Sequence, residues 1–350
     1  MKIRTATIGT NFIVDSFVKG ARMDARFDYA AVYSRKQETA EAFAAKYGAG
    51  RTFTSLDELA ESPDIDAVYI ASPNACHPAH AIMMMDHGKH VICEKPMAPS
   101  PSEAVSMIEA SRRNGVALME AMKTTLLPNF RNVKEALGRI GRVRCYNSSF
   151  CQYSSRFAAF LSGGPVANVF NPAMHGGSLR DLGVYCIAPM VHLFGVPWEG
   201  EYTMEKMLEH VSVTPMMMTP GDSADPSQAI DVQGSMVVSY PGMLATVTWS
   251  KACDGAWGTQ ILGEDGTIEI TKTSTMISPR IRLRSGVGDA GLRKGTDEWE
   301  DLSTPTPDFM YPEVKEFFDL IESGRIESTV NTHQRSLDTA RIVDSLYRAG

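Results

Sequence analysis

The chain has no excess of positive charge: 34 Lys and Arg stand against 41 Asp and Glu in 350 residues, a formal charge of −7. With no long Lys/Arg run either, the electrostatic footprint of a nucleic-acid binder is missing. The six cysteines (Cys76, Cys93, Cys145, Cys151, Cys186 and Cys253) form no Cys-x-x-Cys pair and no spacing that suggests a disulfide frame. Each reads as a buried or half-buried thiol in a reducing compartment. A bilayer-spanning run of ~20 apolar residues is absent; the least polar stretch, 182–196, is broken by Pro189 and His192. The N-terminus carries Arg4, Asp15 and Lys19 and lacks the apolar centre of a signal peptide. There is no internal repeat and no long low-complexity tract. These absences leave a cytoplasmic globular protein that handles something small.

What is present can bury sizeable cores: 43% of residues are hydrophobic and 21% charged, which excludes a disordered chain. At roughly 100–200 residues per domain the length predicts two domains. Residues 3–9, 29–34, 66–71, 89–93 and 116–120 read as short buried strands, separated by helical patterns. Gly48 and Gly88 stop two of the helices. Ser55 with Glu58, and Ser100 with Pro101 and Glu103, supply start signals for two more. Such alternation implies parallel βαβ units with right-handed crossovers, and ligands bound beyond the carboxyl ends of the strands.

From about Gly141 the texture changes. Residues 142–152, 229–240, 243–251, 258–263, 266–272 and 280–285 look strand-like, with turn chemistry at Pro241-Gly242 and Glu264-Asp265-Gly266. One helix over 178–194 interrupts them, 215–227 reads as a surface loop, and helices over 312–323 and 332–348 close the chain. The expected class is α/β: a doubly wound parallel sheet over 1–122, then an α+β domain over 123–350 with a large open, mostly antiparallel sheet. The last helix, 332–348, is a candidate to pack back on the first domain.

The first βα turn is Gly9-Thr10-Asn11-Phe12-Ile13. A dinucleotide fingerprint, Gly-x-Gly-x-x-Gly, lets backbone approach a pyrophosphate at a helix N-terminus. Only Gly9 matches it; Asn11 replaces the second glycine, as a residue tolerant of left-handed dihedrals, and Val14 the third. The second strand ends at Ser34-Arg35-Lys36, where an acidic residue would hold the ribose hydroxyls of NAD. A hydroxyl beside cations suits a 2′-phosphate instead; the plain alternative is a solvated basic helix start. Ser72-Pro73-Asn74 and His77 precede Gly88-Lys89-His90-Val91-Ile92-Cys93-Glu94-Lys95-Pro96, which puts Lys95 at the carboxyl edge of the sheet. His77, His80, His87 and His90 show His-x-x-His spacing twice, but no acidic or Cys ligand completes a metal site at a sensible spacing, so no metal is expected. Asp181 and Tyr185, spaced i,i+4 after Gly176-Gly177-Ser178, share a helix face, or else Tyr185 is simply packed by its ring.

Gly-Lys-His-Val-x-x-Glu-Lys-Pro, Glu120-Ala121 and Gly-Gly-Ser-Leu-x-Asp-Leu-Gly-Val-Tyr, in this order over nearly the whole chain, resemble the Gfo/Idh/MocA oxidoreductases, the glucose–fructose oxidoreductase and inositol dehydrogenase family. The Tyr185 version is similar to its dihydrodiol and xylose dehydrogenase branch. The resemblance implies a Rossmann-like first domain, with NADP (preferred) or NAD held by Gly9, Thr10, Asn11, Phe12, Ile13, Ser34, Arg35, Ser72, Asn74, His77, Glu94 and Lys95. It implies hydride transfer to or from a sugar, cyclitol or vicinal diol, with Lys95, Tyr185 and Asp181 converging on the substrate. Lys123, Asn168, Asn171 and His175 are candidate substrate contacts. It also implies a homodimer or homotetramer built on strands within 229–285. Two other readings stay open: a metabolite sensor without turnover, and a redox-neutral NAD-dependent glycosidase.

Overall fold

The computed structural model describes residues 2–255, 258–287, 293–295 and 298–347. Contacts group the chain into two compact units: Met1–Leu126 with Pro307–Ala340, and Leu127–Thr306 with Arg341–Gly350. The segment 307–340 thus groups with the first unit, whereas the sequence ends the first domain at 122 and offers only the last helix, 332–348, to pack back on it. The cause is the apolar face of the helix Tyr311–Ser323: Val314, Phe317, Phe318 and Leu320 join one core with Ile3, Phe17, Phe27 and Tyr69. The helix His333–Asp344 crosses the boundary between the units, and its first residue contacts the Leu118 carbonyl through Nε2. Arg348, the last residue of the expected 332–348 helix, lies outside the described residues.

In the first unit, β1 (Ile3–Ile8), β2 (Phe27–Tyr33), β3 (Arg51–Phe53), β4 (Ala67–Ile70), β5 (His90–Glu94) and β6 (Leu118–Ala121) form a six-stranded parallel sheet in the order β3-β2-β1-β4-β5-β6. The order reverses between β1 and β4, which makes their carboxyl ends the switch point of the sheet. The helices are α1 (Phe12–Ala21), α2 (Gln37–Tyr47), α3 (Leu56–Glu61), α4 (His77–Asp86) and α5 (Pro101–Asn114). Ser55 and Ser100 accept the N–H groups of Glu58 and Glu103, the expected caps of α3 and α5. Phe17 of α1 stacks on Tyr69 of β4 with ring centroids 3.8 Å apart, locking the helix that follows the first turn onto the sheet.

The second unit is built on a nine-stranded sheet. Its long strands are β7 (Val143–Cys151), β8 (Val211–Met218), β9 (Ile230–Tyr240), β10 (Met243–Ser250), β11 (Thr259–Gly263), β12 (Gly266–Ile270) and β13 (Arg280–Val287), in the order β13-β12-β11-β7-β10-β9-β8. Among the described strands of this sheet, only β7 and β10 run parallel. The strand β8 occupies residues 215–218 of what reads as a loop. It lies at the sheet edge, where Pro215 removes no needed ladder donor. Along β10, Met243, Ala245, Val247 and Trp249 are buried while Leu244, Thr246 and Thr248 are exposed, so one sheet face is covered and the other open. The expected helix over 178–194 begins as a π-helical turn, Leu179–Gly183, and continues as α-helix over Val184–Phe194.

Candidate active site

In the first unit the expected cofactor residues follow the carboxyl ends of neighbouring strands: Gly9–Ile13 after β1, Ser34 and Arg35 after β2, Ser72 and Asn74 after β4, Lys95 after β5. Gly9 has φ +115°, and a Cβ there would lie 2.9 Å from the Ala71 carbonyl oxygen, so the ends of β1 and β4 approach only around a glycine. Asn11 is not left-handed. It sits at φ −83°, ψ 178° as the N-cap of α1, its Oδ1 accepting from the Ile13 and Val14 N–H groups while Nδ2 donates to the Ala71 carbonyl. It replaces the second fingerprint glycine by joining the turn to the switch point. Ser34 is half-buried, and Arg35 is exposed with no carboxylate beside it in sequence.

Glu94 is buried at the end of β5; its carboxylate accepts the Tyr69 hydroxyl at 2.5 Å and the Lys95 N–H at 3.2 Å. Glu120 of β6 accepts the Met97 N–H at 2.9 Å, which anchors the far side of the Glu94-Lys95-Pro96 turn. His77 is 1% exposed. Its ring nitrogens lie 3.0 Å from the Pro96 carbonyl and 2.9 Å from the Ser72 carbonyl, which sets it between the loop after β4 and the loop after β5. Lys123 stays in the first unit, half-buried, with Nζ 3.9 Å from Met310 Sδ.

In the second unit the turn 176–178 wraps around one buried carboxylate. Asp231 of β9 accepts from Ser178 Oγ and the Leu179 N–H, each at 2.7 Å, from Trp249 Nε1 at 3.2 Å and from the Tyr347 hydroxyl at 3.0 Å. Gly177 has φ +107°, and a Cβ there would lie 2.1 Å from Asp231 Oδ1, so only glycine admits the carboxylate this close. The turn launches Asp181 and Tyr185. Asp181 forms an ion pair with Lys251, just after β10, and Tyr185, buried, packs on Phe150 with ring centroids 5.8 Å apart. Asn171 caps its own turn at the Ala173 N–H, Asn168 is exposed, and His175 sits at φ 49°.

Residues 3–122 match the family described as an oxidoreductase family with an NAD-binding Rossmann fold, and residues 130–269 match the GFO/IDH/MocA C-terminal domain. The chain belongs to the GFO/IDH/MocA oxidoreductase family. A scyllo-inositol 2-dehydrogenase (NADP(+)), IolU of Bacillus subtilis (strain 168), is 43% identical to this oxidoreductase over 343 residues, 98% of this chain and 95% of that protein. A trans-1,2-dihydrobenzene-1,2-diol dehydrogenase of Danio rerio is 28% identical, over 91% of this chain and 87% of its own. Levoglucosan dehydrogenase, solved with NADH and levoglucosan, shares the fold with a TM-score of 0.81 at 19% identity, covering 100% of this chain and 98% of that one. The 3-ketoreductase KijD10 of Actinomadura kijaniata does so with a TM-score of 0.79 at 20% identity, covering 99% and 97%.

For this pyridine-nucleotide oxidoreductase the Gly9 close approach and the N-terminus of α1 fit a dinucleotide at the switch point. Because Asn11 already takes up the Ile13 and Val14 N–H groups, the donors left for a pyrophosphate are those before them. Burial pushes the Glu94 carboxyl up, against the opposing pull of Lys95, the Tyr69 hydroxyl and Lys123. Burial likewise pushes up Glu120 and, further, Glu313, whose two carboxyl oxygens have no hydrogen-bond partner among the described residues. It lowers His77 to about 4, so the ring is neutral near pH 7 and donates through one nitrogen. Asp231, Lys251, Glu313 and the capping role of Asn11 escape a reading of motifs. No sequence signal marks Asp231: between Ile230 and Val232 strand alternation reads a carboxylate as facing solvent, yet it is buried.

Proposed function

We propose that this oxidoreductase transfers a hydride between NADP and a hydroxyl-bearing or carbonyl carbon of a neutral or acidic polyhydroxylated molecule: a cyclitol, sugar, sugar acid or vicinal diol. The observation that carries the reading is Lys95 at the carboxyl end of β5, one strand from the switch point, beside the buried Glu94. Likeness over 98% of the chain to a scyllo-inositol dehydrogenase that uses NADP supports the substrate and cofactor class. Hydride exchange is the chemistry the nicotinamide supplies when bound. The protein's part is the proton: Lys95 gives it to, or takes it from, the substrate oxygen, or holds that oxygen while Tyr185 does so, and Asp181 orients substrate hydroxyls. A panel of cyclitols, sugars and diols with both cofactors, followed by nicotinamide absorbance, tests this; no turnover on any of them would remove it.

The preference for NADP rests on Ser34 and the exposed Arg35 after β2. A charge-assisted contact to a phosphate is worth roughly 1.5–3 kcal/mol. Arg35→Ala is therefore expected to weaken NADP by about tenfold to a hundredfold and to leave NAD almost unchanged. Equal loss of both cofactors would assign Arg35 to something other than the 2′-phosphate.

The open face of the second unit's sheet, with Leu244 52% and Val237 39% exposed, supports assembly as a homodimer or homotetramer through strands within 229–285. A monomer by light scattering at micromolar concentration would count against it. None of the six cysteines is in a disulfide, and among the described residues no helix is long and apolar enough to cross a membrane; the cytoplasm is the compartment that suits these thiols.

A further inference from the structure

Asp231 accounts for the backbone of the turn that carries Asp181, but not for the direction of the Asp181 side chain. That is set by Lys251. The lysine side chain is 8% exposed and the aspartate 36%, so the pair is oriented, with the cation inside and the carboxylate toward open space. An ammonium group taken out of water is costly without a counter-charge, which binds Asp181 to the position that Lys251 dictates. The lysine itself cannot wander. Its N–H donates to the Val232 carbonyl at 2.8 Å and its carbonyl accepts the Ser154 N–H at 2.9 Å. Its backbone is thereby pinned at the end of the sheet, and its side chain is held by its burial and by the ion pair with Asp181.

Other titratable and charged groups lie around the turn. From β9 comes Asp231, already taking four donors. From the end of β7 comes Cys151, whose thiol burial pushes up. From the chain end comes Tyr347, also pushed up by burial, with the Arg180 guanidinium 3.7 Å from its ring centroid. Tyr185 lies one turn on against Phe150, and His175 precedes the turn. Lys251 and Arg180 are cations of this cluster, and Asp181, Asp231 and Asp344 stand among its carboxylates. A neutral hydroxyl can donate to Asp181, whereas a substrate carboxylate placed there meets a like charge.

We propose that Lys251 is a positioning and specificity residue, which fixes Asp181 as an acceptor for substrate hydroxyls and makes the charge-balanced pair select neutral polyols over sugar acids. The inference rests on Asp181 orienting substrate, as set out under the proposed function, and deepens it by naming the substrate class.

The test compares wild type, Lys251→Met, Lys251→Arg and Asp181→Asn, with scyllo-inositol as the neutral substrate and a sugar acid such as glucuronate as the anionic one. NADP affinity and a thermal melt serve as folding controls. Loss of a charged hydrogen-bond anchor is worth a factor of about ten to a hundred. Lys251→Met is expected to raise KM for the neutral polyol by about that factor while kcat falls less and NADP affinity holds. Without its counter-charge Asp181 protonates more readily, so the acid limb of kcat/KM moves up by about one pH unit. Lys251→Arg keeps the charge and should keep the acid limb. Asp181→Asn leaves the lysine unpaired and should shift the ratio of activities toward the sugar acid. If Lys251→Met does not fold, Lys251→Gln is read for the same movement of the acid limb. An unchanged KM and acid limb in Lys251→Met, with Asp181→Asn impaired, would overturn the role of Lys251 alone. Full activity of Asp181→Asn on the neutral polyol would overturn the assignment of Asp181 itself, and wild type preferring the sugar acid would overturn the selectivity.

Discussion

The Glu94-Lys95-Pro96 turn of the first unit and the 176–178 turn of the second both lean on buried carboxyl groups, yet these are satisfied in different ways. Asp231 takes four donors from three other parts of its unit. In the first unit the load is spread: Glu94 takes two donors, Glu120 holds Met97, His77 sits between two loops, and Glu313 has no hydrogen-bond partner for either oxygen among the described residues. A hub that concentrates donors orphans all of them when removed, and orphaned buried donors cost far more than a hydrogen bond gains. A buried acid without donors is the reverse case, a burial cost borne for charge or for function. The second unit should therefore be brittle at one residue, and the first tolerant at several.

The largest effect expected is on chemistry. Lys95→Met should lower turnover by ~10²–10⁴-fold with NADP affinity nearly intact, as befits a general acid–base group. Tyr185→Phe, which keeps the packing on Phe150, shows whether the second unit also handles the proton. Full activity in that variant would leave Lys95 alone in the role, and full activity in Lys95→Met would end the proposed mechanism. Next comes the hub. Asp231→Asn should cost about 3–5 kcal/mol of stability, visible as a lowered denaturation midpoint; a loss under 1 kcal/mol would erase the contrast between the units.

His77 tests the first unit through pH. Its ring is held at about 4 in the folded protein against 6.5 for the ordinary group, so between those values the unfolded chain binds the extra proton. Its contribution is whole above pH 6.5, shrinks as pH falls through that window and is gone below about 4. The amount at stake is on the order of 3 kcal/mol. His77→Gln should flatten this part of the stability–pH curve, and an unaltered curve would show that the ring is not the group responsible. Smallest is Glu313→Gln, expected to change stability by no more than about 1 kcal/mol, in either direction. A loss as large as that of Asp231→Asn would mean that the two units bury acids on the same terms.

How legible these features are follows from distance along the chain. The strands of the first unit are largely apolar runs because a parallel sheet covered on both faces buries most of its side chains, and the caps at Ser55 and Ser100 act on residues three positions away. Both announce themselves locally, and so do Lys95 and its turn. The strand β8 does not, since Pro215 and the exposed methionines 216 and 217 look like loop material until an edge position permits them. Asp231 meets Leu179 from 52 positions away and Tyr347 from 116, pairings that no periodicity contains. Asn11 was visible as a departure from the fingerprint, but its compensation, a bond to Ala71 60 residues on, needed the sheet order.

The return of 307–340 to the first unit has a bearing on how the protein is made. When Leu126 leaves the ribosome all six strands of the parallel sheet exist, but Phe17, Phe27 and Tyr69 still lack Val314, Phe317 and Phe318, the partners that complete their core. Those partners are translated only after the whole of 127–306, an interval of roughly 10–40 seconds at ordinary elongation rates. Through that time the nascent sheet carries an uncovered apolar flank, the kind of transiently exposed surface that favours aggregation. The same delay means that a gene fragment ending at the apparent domain boundary would encode a sheet with no lid, and its product should aggregate even though every strand of the nucleotide-binding fold is present.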